Sequence, residues 1–457
     1  MSQSVDAFVR ENQPRLLEEL KTFLRIPSVS TLPEHKADVD RAAAFVAQAL
    51  TDAGVENVEI IPTAGHPLVY GEWMHAPGKP TVLLYGHYDV QPPDPLELWH
   101  TPPFEPTERD GNLYARGAAD DKGQFYMHVK AVEALLAIHG KLPVNVKFLI
   151  EGEEEIGGAS IAKFVAQNPE KLKADVGLVS DTALYADGIP TLCIGLRGLV
   201  YMEVEATGPM RDLHSGLYGG AAPNAVFGLI ELLAKTKSPD GRIQIPGIYD
   251  DVKEPASAEL ESWKTLPFTE QEFLKNEVGS TALTGEPDRT VLERVWSRPT
   301  LEVHGIAGGF TGAGAKTVIP AKATAKVSFR LVPDQDPTKV IDAFKRFVAE
   351  NTPKGIHTEV RVLSGGPAVM VNPDHPAIDT AARAFSDSLG RPTVFIRSGG
   401  SIPIVGDFAR HLHIPTILMG FGLPDDGLHS PNEKYKIGNY YLGIMTVAKF
   451  LELYGQL

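Results

Sequence analysis

The order of the predicted elements favours an α/β fold, in which a doubly covered, mainly parallel sheet is interrupted by an inserted α+β sandwich. Up to about residue 180, apolar strand segments alternate with helical patterns, as expected for a parallel sheet with helices on both faces. Near Gly198 the order changes to strand, helix, strand and strand, and from His375 the first alternation returns. A chain of 457 residues is also too long for one ordinary core. We therefore predict one domain formed by 1–198 and 375–457, and an inserted domain formed by 199–374.

Local hydrophobic periodicity predicts the individual elements. Apolar residues at helical spacing predict helices at 4–25, 39–50, 120–138, 225–234, 338–350, 375–389 and 439–453. Short apolar or alternating runs predict strands at 58–61, 81–84, 144–150, 176–180, 200–206, 301–304, 323–331, 358–363, 393–396 and 415–419. The proline- and glycine-rich region 238–300 has low hydrophobic periodicity.

Composition narrows the class of protein. Hydrophobic residues make up 43% of the chain and charged residues 22%, as in an ordinary globular protein. A net charge of −15 disfavours nucleic acid and anionic membranes as partners. No apolar run approaches the roughly 18 residues that span a bilayer, and the first residues lack a signal-peptide pattern. The only cysteine, Cys193, cannot form an intramolecular disulfide. We therefore expect a cytoplasmic enzyme.

One stretch, residues 85–92, organises the chemistry. It follows the apolar run Thr81–Leu84 and carries His87 and Asp89. Residues two apart on an extended chain point the same way, so both side chains lie at the carboxyl end of a strand, where open α/β sheets bind ligands. A carboxylate next to an imidazole fixes the orientation of a metal-binding histidine. Alone, a His-x-Asp pair is more often a chance strand ending.

Further acids and a second histidine follow predicted strands or precede predicted helices. Asp120 and Asp121 stand where a helix begins, although acids there are usually caps. The run Glu151–Glu155 follows a strand, where adjacent carboxylates need a cation to offset their repulsion. Asp181 ends another buried strand, and His429 lies in a loop before the last helix. Each signal is weak alone, but together they supply two imidazoles and several carboxylates at one sheet.

Together these motifs resemble the co-catalytic metallopeptidase family that includes carnosine-type dipeptidases, glutamate carboxypeptidase, aminoacylases and succinyl-diaminopimelate desuccinylase. The matching motifs fall between about residues 85 and 435, and the segment His429–Lys434 is most similar to the dipeptidase branch. The resemblance implies that 1–198 and 375–457 form a catalytic domain and that 199–374 form a lid and dimerisation domain.

The resemblance also implies a ligand set for two divalent metal ions per chain. His87 and Asp181 would hold one ion, Glu155 and His429 the other, and Asp120 would bridge them. Zinc is expected, with manganese as the alternative, since these ligands accept either. In this family the peptide after the bridging aspartate is typically cis.

Two further residues complete the catalytic set that the resemblance implies. Asp89 would support His87, and Glu154 would be the general base that takes a proton from a hydroxide-forming water held by the two metals. In the family, the base and the metal ligand are the last two acids of this run. Counting back from Ile156-Gly157 therefore assigns Glu154 and Glu155 and leaves Glu153 without a role.

In the inserted domain, the turn around His214 resembles the lid histidine that reaches the partner subunit's active site in a homodimer. Arg330 and Thr317 resemble elements that bind the substrate carboxylate, and a guanidinium suits that group. The loop Gly399, Gly400 and Ser401 resembles the glycine loop that cradles the same carboxylate. Where the family would have glutamate, this chain has Ser398, which bears on fine specificity.

The leading function is therefore hydrolysis of the peptide bond of dipeptides or short peptides with a free C-terminal carboxylate. The runner-up is deacylation of N-acyl amino acids, because those substrates also end in a carboxylate. A catalytically inactive binding protein is the alternative from another class. Loss of Glu154 or of a ligand would indicate that alternative, and all of them are present.

Overall fold

The structure is a computed structural model that describes residues 4–400 and 402–457. The described chain separates into two compact units. One contains residues up to Ile194 together with Val371–Ile396 and Ile402–Leu457, and the other contains residues 195–370 and 397–400. Among the described helices, none is long and apolar enough to cross a membrane.

The first unit is built on a large mixed sheet. Its strands are, in spatial order, Glu56–Ile61, Leu68–Trp73, Asn145–Glu151, Thr81–His87, Val176–Val179, Thr416–Leu418 and Thr191–Leu196, with Val394–Ser398 paired beside the last. The pairs at the centre of the sheet are parallel, whereas those towards both edges are antiparallel. A second, small sheet contains Thr107–Arg109, Asn112–Tyr114 and Lys434–Lys436.

Helices cover the large sheet because each strand at its centre is apolar on both faces. The α-helices of this unit are Val5–Leu24, Lys36–Asp52, Lys122–His139, Ala159–Gln167, Pro376–Leu389, Pro403–Asp407 and Ile437–Tyr454. Short 3₁₀ turns lie at Pro33–His35, Leu96–Leu98 and Glu154–Ile156, and a π-helical turn lies at Phe408–Leu412. The helix Lys122–His139 is buried over most of its length. Gly86 in the adjacent strand allows its close approach, since a Cβ there would lie 2.1 Å from Phe125 Cβ.

The second unit is an antiparallel sheet covered by helices. Its strands, in spatial order, are Thr300–Gly308, Lys322–Leu331, Gly198–Thr207 and His357–Gly366. Its α-helices are Ser215–Tyr218, Ala225–Ala234, Ser257–Lys264, Glu270–Glu272, Val291–Trp296 and Pro337–Asn351, with a π-helical turn at Phe273–Val278. Short strands lie at Leu213–His214, Val318–Ile319 and Val369–Met370.

Alternation along Gly198–Thr207 explains the core of the second unit. Val200, Met202, Val204 and Ala206 are buried, and the residues between them are partly exposed. This period of two places one face of the sheet against the helices and leaves the other face polar.

Most predicted elements are present, with bounds that differ by a few residues. The sequence did not predict the strands Leu68–Trp73 and Thr191–Leu196 or the helix Ala159–Gln167. The region 238–300 also contains short helices that its low periodicity did not indicate. The predicted assignment of catalytic and lid roles to the residues 1–198, 199–374 and 375–457 remains a prediction.

Candidate metal centre

Three parallel neighbours bring the predicted acids and histidine to one edge of the sheet. Thr81–His87 lies between Asn145–Glu151 and Val176–Val179, and His87 is level with Glu151. The carboxyl ends of all three strands therefore open towards the same side. The segments that follow these strands supply the polar side chains of the site.

His87 is completely buried at the end of its strand. Its Nδ1 lies 3.1 Å from the carbonyl oxygen of Asp89, which fixes the ring, and 3.5 Å from Asp89 Oδ1. Its Nε2 lies 3.2 Å from Asp120 Oδ1 but has no hydrogen-bond partner among the described residues. The two atoms are close without hydrogen-bond geometry, so they face a common point rather than each other.

Asp120 is shared between two groups of donor atoms. His87, Asp120 and Asp181 each offer one atom within 4.8 Å of the others, and so do Asp120, Glu155 and His429. The two carboxylate oxygens of Asp120 divide between the groups, with Oδ1 near His87 and Oδ2 2.9 Å from His429 Nε2. One carboxylate thus belongs to both halves of the cluster.

The second group is more accessible than the first. His429 Nε2 lies 3.3 Å from Glu155 Oε2, and the His429 side chain is about half exposed, whereas that of Glu155 is nearly buried. His429 has a positive φ of 59°, a conformation that turns its loop sharply. Gln91 Nε2 donates to Glu155 Oε2 at 2.7 Å. We did not predict this contact from the sequence, although Gln91 lies in the same stretch as His87.

The Asp89 carboxylate does more than support a histidine. Its Oδ1 accepts from the backbone N–H of Glu154 and its Oδ2 from that of Glu155, both at 3.2 Å. It therefore holds the turn that presents these two glutamates. Glu153 is buried, and its oxygens accept from the backbone N–H groups of His66 and Ser160, so it packs as a structural residue.

The Asp120–Asp121 pair departs from the interpretation as helix caps. The helix begins at Lys122, and the Asp121 side chain makes no capping hydrogen bond. Instead Asp121 Oδ2 accepts from the backbone N–H of His87 at 3.2 Å. The peptide bond between the two aspartates is cis, as the resemblance implied.

The carboxylates of the cluster repel one another. Burial and the charges of Asp120 and Asp121 raise the pKa of Asp181 well above its ordinary value. Burial also raises the pKa of Glu154 to about 7, with further contributions from neighbouring carboxylates. Burial opposes ionisation of Asp120 as well, but the two imidazoles hold its pKa well below the usual range.

The negative charge of the cluster also raises the pKa values of the two imidazoles, which favours their charged form. The carboxylates of Asp120 and Glu155 raise the pKa of His429 to about 10. Burial lowers the pKa of His87, yet Asp120 and Asp89 raise it well above its ordinary value. Excess negative charge at one point, with nitrogen and oxygen donors around it, is the environment that a divalent cation stabilises. Nε2 of buried His87 has no hydrogen-bond partner among the described residues, as suits a metal ligand, so the donor set fits divalent cations.

The predicted substrate residues that the structure describes lie in the second unit. Arg330 is partly buried on the polar face of the sheet, opposite Thr300 and Leu199 in register, and burial lowers its pKa. Its guanidinium has no hydrogen bond or ion pair with any described residue. It lies close enough to Arg197 to contribute, after burial, to lowering the pKa of that residue to about 10.

The glycine loop lies near the same arginine pair. Gly400 O accepts from Arg197 N at 3.1 Å, and Gly400 N donates to Ser398 Oγ at 3.2 Å. This second bond uses an N–H that the resemblance had implied for the substrate carboxylate. Gly399 is exposed, and Ser401 lies outside the described residues.

His214 and Thr317 lie together at the surface of the second unit. The strand Leu213–His214 pairs with Val318–Ile319, the strand that begins directly after Thr317. Ser215 N also donates to Thr317 O. His214 is exposed, and its Nδ1 accepts from Gly216 N at 3.0 Å. In the neutral ring Nε2 therefore carries the proton and points an N–H donor outward.

Two donor groups that share one carboxylate, close to the end of parallel strands, form an arrangement suited to metal-dependent hydrolysis. The fold and the site thus define a metal-dependent hydrolase. More narrowly, residues 83–453 match the model of peptidase family M20/M25/M40, and the chain belongs to that family.

Individual relatives are similar over nearly the whole chain. The chain is 34% identical to the Cys-Gly metallodipeptidase DUG1 of Candida albicans, over 98% of this chain and 96% of the relative. It is 32% identical to the beta-Ala-His dipeptidase of Homo sapiens, over 98% and 92% of the two chains. Among solved structures, an M20 family metallo-carboxypeptidase from Sulfolobus solfataricus superposes with a TM-score of 0.87 at 33% identity, covering 97% of this chain and 99% of that one.

Proposed function

We propose that this protein hydrolyses the peptide bond of dipeptides or short peptides that end in a free carboxylate. The sharing of Asp120 by two donor groups, next to the carboxylate of Glu154, is the observation that carries the proposal. The names of the relatives support it, because they describe dipeptidases and a carboxypeptidase. A dipeptide and the substrate of a carboxypeptidase share a terminal carboxylate beside the scissile bond.

His87 and Asp181 would hold one cation, Glu155 and His429 the other, and Asp120 both. Bound cations would polarise the substrate carbonyl and lower the pKa of a water molecule. Zinc is proposed, with manganese as the alternative. We expect two ions per chain after reconstitution, because five ligands with one shared carboxylate exceed what one tetrahedral site uses. Metal analysis that finds at most one tightly bound ion would contradict this assignment.

Glu154 would act as the general base. Its carboxylate has no hydrogen-bond partner among the described residues, and the backbone of its turn is held by Asp89. It is therefore free to take a proton from the attacking water and to return it to the leaving amine. Asp89 would contribute by fixing both the His87 ring and the Glu154 turn.

Arg330 would bind the terminal carboxylate of the substrate, with Thr317 and the loop of Gly399, Gly400 and Ser401 as further contacts. A partly buried guanidinium to which no described residue is bonded supports this role, since such a group gains most from a charged acceptor. The Gly400 N–H is engaged by Ser398, which leaves the Gly399 N–H of this pair for the substrate.

The second unit is also proposed to form a homodimer in which His214 reaches the active site of the partner subunit. Its outward Nε2–H would donate to the oxyanion that forms when the carbonyl is attacked. The exposure of His214 and the fixed tautomer support this assignment. A cytoplasmic location is proposed with it, because a chain with one cysteine suits a reducing compartment.

A substrate panel tests the proposed function. Metal-free protein is reconstituted with zinc or manganese and assayed on dipeptides, C-terminally amidated dipeptides, longer peptides and N-acyl amino acids. Turnover of free dipeptides well above that of the amides and N-acyl amino acids is expected. Preferential turnover of N-acyl amino acids would support the deacylase instead, and absence of turnover with either metal would indicate a binding protein.

A further inference from the structure

Glu433 lies four residues after His429 and is completely buried, yet no donor group includes it. Its two oxygens each accept two hydrogen bonds. Oε2 accepts from Arg116 Nη1 at 2.7 Å and from Gly117 N at 3.0 Å. Oε1 accepts from Ala119 N at 2.9 Å and from Asp120 N at 3.1 Å.

Three of these four donors are backbone N–H groups of one loop, those of Gly117, Ala119 and Asp120. This loop precedes the helix that begins at Lys122, so no helix or strand supplies partners for its amides. A buried carboxylate that accepts several N–H groups can take the place of regular structure. Glu433 thus sets the path of the backbone that carries the shared carboxylate.

Glu433 also connects this loop to the loop of the second imidazole. Its own carbonyl oxygen accepts from Ala115 N at 3.1 Å, and the next residues, Lys434–Lys436, pair antiparallel with Asn112–Tyr114. Glu433 therefore links the loop of Asp120 to the loop of His429 in two ways. Its side chain bonds to the first loop, and its backbone pairs with the segment that precedes that loop. Residues separated by more than 300 positions in sequence are held in one arrangement.

We infer that Glu433 is a positioning residue that fixes Asp120 relative to His429, so that metal affinity depends on a side chain that does not touch the metals. This inference rests on the proposed assignment of Asp120 and His429 as ligands. Partners of metal ligands typically contribute 10–100-fold to metal affinity. Glu433 acts on the backbone of the ligand rather than on its side chain.

The substitution Glu433→Gln tests the inference with little change in shape. All four partners of Glu433 are donors, but an amide accepts only through its oxygen. In either orientation the NH₂ group would meet two further donors. The matched control is Glu286→Gln, which removes the charge of another buried glutamate that is bonded to Arg298 and Tyr249 in the second unit.

Two measurements on the full-length protein separate positioning from general stability. Competition with a chromophoric chelator gives the dissociation constants for zinc, and hydrogen exchange of the metal-free protein reports on the amides of residues 117–120. We expect Glu433→Gln to weaken zinc binding 10–100-fold and to speed exchange in this segment. Glu286→Gln should change neither, and Glu433→Asp, which keeps the charge, should recover part of the affinity.

Unchanged zinc affinity in Glu433→Gln overturns the inference, whether or not exchange becomes faster. Equal weakening in the Glu286→Gln control also overturns it. If both Glu433 variants fail to fold while the control folds, the residue is structural and the inference is again wrong. A wild-type chain that binds no zinc or manganese would instead overturn the proposed function, and the exchange measurement would still report whether Glu433 holds the loop.

Discussion

The cluster of donor atoms in the first unit and the polar surface of the second unit differ in how their polar groups are arranged. In the cluster, the donor atoms of each group lie within 4.8 Å of one another, and the charged groups shift one another's pKa values. In the second unit, Arg330 on the sheet face has no partner among the described residues, and His214, on a separate two-stranded sheet, presents an unused donor to solvent. The first arrangement brings together nitrogen and oxygen donors of the kind that divalent cations use. The second presents isolated donors, which suit an anionic ligand or a partner surface.

The largest effect is expected from Glu154→Gln, which alters the cluster without removing a proposed ligand. The amide keeps the shape but cannot accept a proton, so kcat should fall about 10²–10⁴-fold while metal content and melting temperature stay nearly unchanged. Glu153→Gln is the comparison within the same run; its NH₂ group would face one of two backbone N–H donors, so any loss of kcat there should come with a lower melting temperature. A loss below tenfold for Glu154→Gln, or a larger loss for Glu153→Gln, would show that the base is wrongly assigned.

On the sheet face, Arg330→Met should raise KM for free dipeptides about 10–100-fold, as expected for loss of a charge-assisted contact. C-terminally amidated dipeptides should be affected little, because they lack the carboxylate. Arg361→Met serves as a control, since that arginine is exposed and pairs with Glu359 and Glu205. Equal losses with both kinds of substrate would contradict a carboxylate contact.

Mixing two inactive variants tests whether His214 acts in the active site of the partner subunit. His214→Ala leaves the cluster intact, and Glu154→Gln leaves the histidine intact. After random subunit exchange, about half of the dimers are mixed and each has one complete site, so about a quarter of wild-type activity should return. Mixing Glu154→Gln with the double variant should restore none. A mixture of the single variants that stays inactive would place His214 in its own subunit's site or remove it from catalysis.

The smallest effect concerns the interior of the first unit. His128 is completely buried, its Nε2 bonds to Ser180 Oγ at 2.7 Å, and its Nδ1 has no hydrogen-bond partner in the part of the chain that the structure describes. Burial lowers the pKa of His128 to about 3. The folded state therefore excludes a proton that the unfolded state binds below about pH 6.5. Above about pH 6.5 the burial of His128 does not change the free energy of unfolding with pH. Below that pH the free energy of unfolding decreases as the pH falls towards 3.

His128→Gln should remove this pH dependence, because the amide can still donate to Ser180 but does not titrate. Between pH 7 and pH 5, the free energy of unfolding of the metal-free wild type should fall by roughly 2 kcal/mol more than that of the variant. Urea unfolding at the two pH values measures the difference. Parallel changes in both proteins would show that His128 is not the titrating group.

The sequence predicted the strand ends well because each combines a buried apolar run with an acid or histidine. His87, Asp181 and the glutamate run all follow this pattern, and the residues lie where parallel strands end. By contrast, Leu68–Trp73 was missed because Gly71 interrupts its apolar run. Gly71 is needed for packing, since a Cβ there would lie 2.9 Å from Val55 Cγ1.

Contacts that depend on backbone direction could not be predicted. Asp89 was expected to support His87, and its carbonyl oxygen does so, but its carboxylate binds the N–H groups of the Glu154–Ile156 turn. Which way those N–H groups point depends on the turn itself, for which the sequence gives no periodic signal. The contacts of Glu433 could not be predicted for the same reason, because its four donors lie in a loop more than 300 residues away in sequence.

The position of Thr416–Leu418 within the large sheet has a consequence for synthesis on the ribosome. This strand lies between Val176–Val179 and Thr191–Leu196, although it is made 416 − 179 = 237 residues after the first of them. At about 5–20 residues per second, the nascent chain spends roughly 12–47 s with that gap in its sheet unfilled. During that time the edge of Val176–Val179 has unpaired N–H and C=O groups, which another strand could pair with wrongly.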